Sequence, residues 1–161
     1  MKKLFFAIIV TLISCGGNDE PFDTVELNGQ VWSEYNMNVN VSESNASIRE
    51  NCEKYGRLYT YKGAQEVAEM YPGWRLPTKA EAQRLINHYN GKLEKFIDKF
   101  NCVGGYSTPD DKKRQFDGSG FWTSTFGKRG NKKHTLFAGE GKMTFDDVDT
   151  DYYISLRLIK E

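Results

Sequence analysis

Pro72-Gly73-Trp74-Arg75-Leu76-Pro77-Thr78-Lys79-Ala80-Glu81 decides how this chain is put together. Pro72-Gly73 ends whatever helix runs into it. Thr78 followed three residues later by Glu81 is a capping box, in which side chains at both ends satisfy orphan amides of a new helix. Trp74 stands between the two signals, an aromatic large enough to anchor a core. Upstream, Ala64, Val67, Ala68 and Tyr71 are spaced i, i+3, i+4, i+7 and form one apolar stripe. Downstream, Ala82, Leu85, Ile86 and Tyr89 repeat the spacing, and Asn90-Gly91 supplies a stop. Leu93, Phe96, Ile97 and Phe100 repeat it again. The pattern predicts three short helices whose stripes face a core.

Both flanks read as β structure. Val25 to Trp32 alternates about Asn28-Gly29, a strong hairpin signal because both turn positions need positive φ. Asn36 to Asn51 is polar and reads as a loop, and Arg57 to Tyr61 reads as a strand. After Cys102, Gly120–Thr125, His134–Phe137 and Lys142–Phe145 read as short strands, with Gly139-Glu140-Gly141 as a turn. Ile154, Leu156 and Leu158 alternate with Ser155 and Arg157, which predicts a half-buried terminal strand. Strands at both ends around a helical middle predict an α+β fold with adjacent terminal strands. There is no internal repeat and no second domain.

The first residues carry an address. Lys2 and Lys3 precede an apolar run, Leu4–Ile13, too short to span a bilayer at about 20 residues. Leu12-Ile13-Ser14-Cys15 resembles the bacterial lipobox. The resemblance implies cleavage after residue 14, lipidation of Cys15 and a stable anchor of two or three acyl chains. Residues 15–21, with Gly16, Gly17, Asn18 and Pro21, read as a tether, and the domain begins at residue 22 and runs to 161. Asp19-Glu20 resembles the surface-export signal of Bacteroidetes lipoproteins, which implies an outer-membrane, surface-exposed location.

The chain has 22 basic and 22 acidic residues; loss of Lys2 and Lys3 with residues 1–14 leaves 20 against 22, a net of −2. That balance excludes a basic field for nucleic acid or anionic lipid. The 147 residues from Cys15 onward suit one domain with a real core. Of three cysteines, Cys52 and Cys102 remain beside Cys15. In an oxidising compartment they can pair; as small buried hydrophobes they need not.

Cys52 to Tyr61 (CEKYGRLYTY), followed by Pro72 to Thr78 (PGWRLPT), resembles the Fibrobacter succinogenes major paralogous domain. Its anchors recur in order: Trp32 with Asn36-Met37-Asn38, Tyr55-Gly56, Gly73-Trp74-Arg75, Pro77, Gly104-Gly105-Tyr106, Trp122 in Phe121–Thr125, and Arg157 in Tyr153–Arg157. The matches cover nearly all of residues 25–160. The resemblance implies a C-type-lectin-like fold, with short helices on small antiparallel sheets, in an exported lipoprotein of Bacteroidetes or Fibrobacteres. Where family members often carry two further cysteines, this chain has Tyr71 and Leu158. That bridge cannot form, and Cys52 would have Cys102 as its partner. Trp32, Trp74 and Trp122 are expected in the core, and Arg75 and Arg157 as hydrogen-bonding frames.

No catalytic constellation is present. His88 and His134 sit in polar surroundings and read as solvated. No zinc spacing or nucleophile motif occurs, and nothing after Cys102 supplies the cysteine pair of formylglycine-generating relatives. Asp146, Asp147, Asp149 and Asp151 offer hard oxygens to Ca²⁺; an acidic turn facing the basic Lys128–Lys133 turn accounts for them equally well. Tyr106, Phe116, Phe121, Phe126, Tyr152 and Tyr153 are candidates to stack on sugar faces. The expectation is a non-enzymatic, lipid-anchored envelope module that binds a glycan or protein, without a cofactor. The alternative is an assembly subunit of an envelope or adhesion complex.

Overall fold

The computed structural model describes residues 20–45, 54–89, 92, 95, 104–111, 118–128, 132–139 and 142–161. It is α+β, with sheets that are mostly antiparallel. One sheet has four strands in the order β1 (Thr24–Leu27), β2 (Gln30–Ser33), β11 (Ile159–Lys160), β5 (Trp74–Arg75). The other runs β3 (Ser44–Asn45), β4 (Leu58–Tyr59), β10 (Tyr153–Ser155), β7 (Gly118–Phe126), β8 (Lys132–Gly139), β9 (Lys142–Asp149), with β6 (Tyr106–Ser107) also on β10. The predicted adjacency of the terminal strands is observed, since Ile159 pairs with Trp32.

The hairpin forms at Asn28 (φ 53°) and Gly29 (φ 70°), with Leu27 opposite Gln30. Helix α1 (Tyr61–Glu69) starts at Thr60, whose hydroxyl accepts from the Gly63 amide, so the predicted strand stops before Tyr61. Helix α2 (Lys79–His88) has the predicted capping box at Thr78 and Glu81. Ala64 and Val67 of α1 and Ala82 and Leu85 of α2 are buried as their stripes require. The predicted third helix, Leu93–Phe100, lies outside the described residues except for residue 95. Two buried clusters hold the sheets together, one around Tyr59, Trp74, Trp122 and Leu156, the other around Trp32, Leu85, Phe121 and Ile159. Each such side chain contributes about 1.5–3 kcal/mol by leaving water. Trp122 also donates Nε1–H to the Tyr59 carbonyl at 2.8 Å.

Two expectations are corrected. Residues 154–159 are not a half-buried strand: Ile154 to Ile159 are all buried, Ser155 and Arg157 included. The segment leaves one sheet as β10 and enters the other as β11, so it has no solvent side. The late strands are also longer than predicted. Asp146, Asp147 and Asp149 lie within β9, and Lys132 and Lys133 within β8, not in turns. Lys132 stands opposite Asp149 in the ladder, and that pairing, not apolar alternation, extends the strands.

Candidate functional site

An open cleft of about 380 Å³ lies between α1 and the chain that follows it, a volume in the range of small-ligand sites. Helix α1 contributes Tyr61, Gln65, Ala68 and Glu69, spaced i, i+4, i+7, i+8 and therefore on one face. Ala64 and Val67 take the core-facing side. The opposite wall is Trp74, Arg75, Leu76 and Thr78, and Ser124 of β7 closes one end. Ser124 is fixed there by its amide and hydroxyl, both donating to the Pro77 carbonyl at 2.8 and 3.3 Å.

Arg75 forms a two-toothed ion pair with Glu81, Nη2 to Oε1 at 2.7 Å and Nη1 to Oε2 at 2.9 Å. Glu81 Oε2 also accepts from the Thr78 amide at 2.7 Å and hydroxyl at 2.9 Å. The Arg75 bond, then the Thr78 donors, hold the Glu81 carboxyl down at about 2 against the cost of burial. The pair raises Arg75 in turn. Beyond Ser124, Lys133 Nζ lies 4.3 Å from the Tyr61 ring centroid and 3.3 Å from that of Phe126, and donates to the Ser124 carbonyl at 3.2 Å. Burial pushes the Lys133 ammonium down and the Tyr61 hydroxyl up. The site therefore offers ring faces, exposed hydrogen-bonding side chains and a buried cation.

Two further grooves, of about 650 and 360 Å³, border Pro21–Asp23. The larger is lined by Glu20, Asp23 and Glu26 against Lys160, whose ammonium meets Glu20. Phe22 packs edge-on against Tyr71 and Trp74, at centroid distances of 5.2 and 4.5 Å. In the larger groove the one lining cation, Lys160, is already paired with Glu20, and the smaller has no lining cation.

The sequence-predicted residues divide clearly. Trp32, Trp74 and Trp122 are buried, as expected. Arg157 is a hydrogen-bonding frame, donating to Asn36 Oδ1, Ser33 O and Glu34 O. Gly56 (φ 75°) and Gly73 (φ 84°) occupy left-handed positions; Tyr55 accepts from Asn36 Nδ2 through its carbonyl, and Pro77 accepts from Ser124. Cys15, Cys52 and Cys102 lie outside the described residues.

The structure does not gather Asp146, Asp147, Asp149 and Asp151 into a calcium site. Adjacent strand residues face opposite ways, Asp149 pairs with Lys132 at 2.9 Å, and Asp147 accepts from the Lys128 amide. Among the described residues no group of three His, Cys, Asp or Glu is placed to hold a metal. His88 is exposed and meets Asn28 Oδ1 at 3.0 Å; of His134 only the backbone, in β8, is described.

Of the aromatic candidates, Phe121 is buried, Tyr106 and Tyr152 pack on the core, Tyr153 is half-buried and Phe116 lies outside the described residues. Phe126 stands out of the surface, 69% exposed. Tyr61, Gln65, Ser124 and Lys133 carry no local sequence motif that marks them as site residues. The signal for Lys133 was its period-2 position with Thr135 and Phe137, opposite Lys132. Among the described residues no helix is long and apolar enough to cross a membrane. Compared with known proteins, the chain matches no family model, no curated protein and no solved structure.

Proposed function

We propose that this chain is a non-enzymatic, lipid-anchored protein of the outer membrane, with a C-type-lectin-like major paralogous domain over residues 22–161. Its function in this proposal is to capture a glycan in the cleft between α1 and Trp74–Thr78. The cleft itself carries the reading: the rings of Tyr61 and Trp74 line it beside Gln65, Glu69 and Ser124, the mixture that sugar faces and hydroxyls require. The lipobox resemblance at Cys15 and the ordered family anchors support the anchor and the family. The test is a glycan array probed with the full-length chain in detergent. Gln65→Ala with Glu69→Ala, both exposed on α1, should cut binding at least about tenfold while leaving the fold intact. Unchanged binding would remove the cleft from the proposal.

The assembly-subunit reading draws on β9. This eight-residue strand ends its sheet order and alternates exposed with half-buried residues over most of its length, and such an edge can pair with another chain's strand. Silence on the array, together with a stoichiometric protein co-purified from envelope membranes, would favour it.

A further inference from the structure

Lys133 carries its charge into an almost closed place. It is 4% exposed, and its ammonium meets the Ser124 carbonyl and the rings of Phe126 and Tyr61. Among the described residues no carboxylate pairs with it. Its neighbour Lys132 differs: the strand turns it to the other face, where Asp149 stands at 2.9 Å. A buried cation without a counter-charge is costly, and ring faces offset only part of that cost. Burial accordingly lowers the Lys133 pKa.

The cover over this cation is Phe126, held on the ammonium by one face while most of its surface meets water. An exposed ring on a single side-chain pivot is the part of this enclosure that can move without disturbing the core. Turning it aside opens Lys133 beside Tyr61 and Ser124, which already form the end of the cleft. Glu69, an acid in the same cleft, lies eight residues along α1 from Tyr61, about 12 Å by helix rise. Arg75 is committed to Glu81. The cleft is thus polarised, cationic at the Tyr61 end and anionic at the Glu69 end.

We propose that the captured glycan is acidic, and that a uronate carboxylate takes the place of the Phe126 ring over Lys133 Nζ. The sugar ring then lies on Tyr61, with hydroxyls toward Gln65 and Ser124. This inference rests on the glycan-capture reading and adds the ligand's charge. The test uses the full-length chain in detergent micelles and a panel of galacturonan, glucuronan and alginate oligosaccharides, each before and after reduction of its carboxyls. At least one carboxylated member should bind about tenfold or more tighter than its reduced partner. Lys133→Met should bring that ratio to about one with binding of the reduced sugar kept, and Lys133→Arg should retain a ratio above one. Phe126→Ala, at an exposed position, should raise the ratio, and it serves even if the Lys133 variants fold poorly. Equal binding of carboxylated and reduced sugars would overturn this inference and leave glycan capture standing. Silence across the panel and on the array would overturn both. Lys133-dependent binding of polyglutamate with no sugar bound would overturn it in favour of an acidic peptide.

Discussion

Arg157 Nε donates to Asn36 Oδ1 at 2.8 Å, joining two buried side chains 121 residues apart. The same guanidinium donates to the carbonyls of Ser33 and Glu34, and the flanking backbone of Leu156 and Leu158 accepts from Met37 and Ser33. The loop after β2 is thereby sewn to the segment that passes between the sheets. Arg157→Ala strips donors from three acceptors at once, two of them buried. It should cost about 3–5 kcal/mol, measured as the loss of unfolding free energy in urea. Arg157→Lys should recover only part, since an ammonium cannot reproduce the planar fork.

Glu81 makes stability depend on acid. Its carboxyl is held at about 2 in the folded chain against 4.5 for an ordinary glutamate. A depressed carboxyl contributes stability that is fully present above about pH 5 and is lost as pH falls from about 4.5 toward 2. Allowing for solvent at the Arg75 end, the contribution is about 2 kcal/mol. Glu81→Gln should lower stability near pH 7 by about that amount and flatten the stability curve between pH 5 and 2. A variant curve parallel to the parent's across that window would show that another group is responsible.

Gly56 and Gly73 separate backbone strain from crowding. Both have positive φ, 75° and 84°. A Cβ on Gly56 would lie 2.7 Å from Asn36 Cβ and 2.8 Å from the carbonyls of Asn36 and Met37, whereas one on Gly73 meets open space. Gly73→Ala should cost about 1 kcal/mol, the left-handed penalty alone. Gly56→Ala should cost about 3 kcal/mol, because overpacking against backbone adds to that penalty. Thermal unfolding of the two variants side by side measures the difference.

Cys15 tests the proposed anchor. Cys15→Ala should leave an uncleaved precursor that takes up no labelled fatty acid, detected as a slower band on a gel. Normal maturation and labelling of the variant would rule out the lipobox assignment.

What was legible in the sequence is what short-range chemistry decides. Asn28-Gly29 makes a hairpin because two adjacent residues tolerate positive φ. Thr78 and Glu81 start a helix because each reaches the other's amide within one turn. The stripes of α1 and α2 follow from helical period, and burial of the three tryptophans follows from their size. The strands beyond Phe126 were misjudged because β9 is polar and its extent depends on pairing with β8, a contact between segments.

The sequence by itself determined the Asn28-Gly29 turn, the Thr78–Glu81 cap, the core faces of α1 and α2 and the α+β class, since each is set by residues within a few positions of one another. Only the tertiary structure decided that the last segment splits into β10 in one sheet and β11 in the other, and that Lys133 lies under Phe126 while Lys132 finds Asp149. It alone set the α1 face against Trp74–Thr78 to make a cleft. The physical reason is that burial and charge pairing are properties of the space between segments. A lysine reads the same in the chain whether folding carries it to water, to a carboxylate or to the faces of two rings.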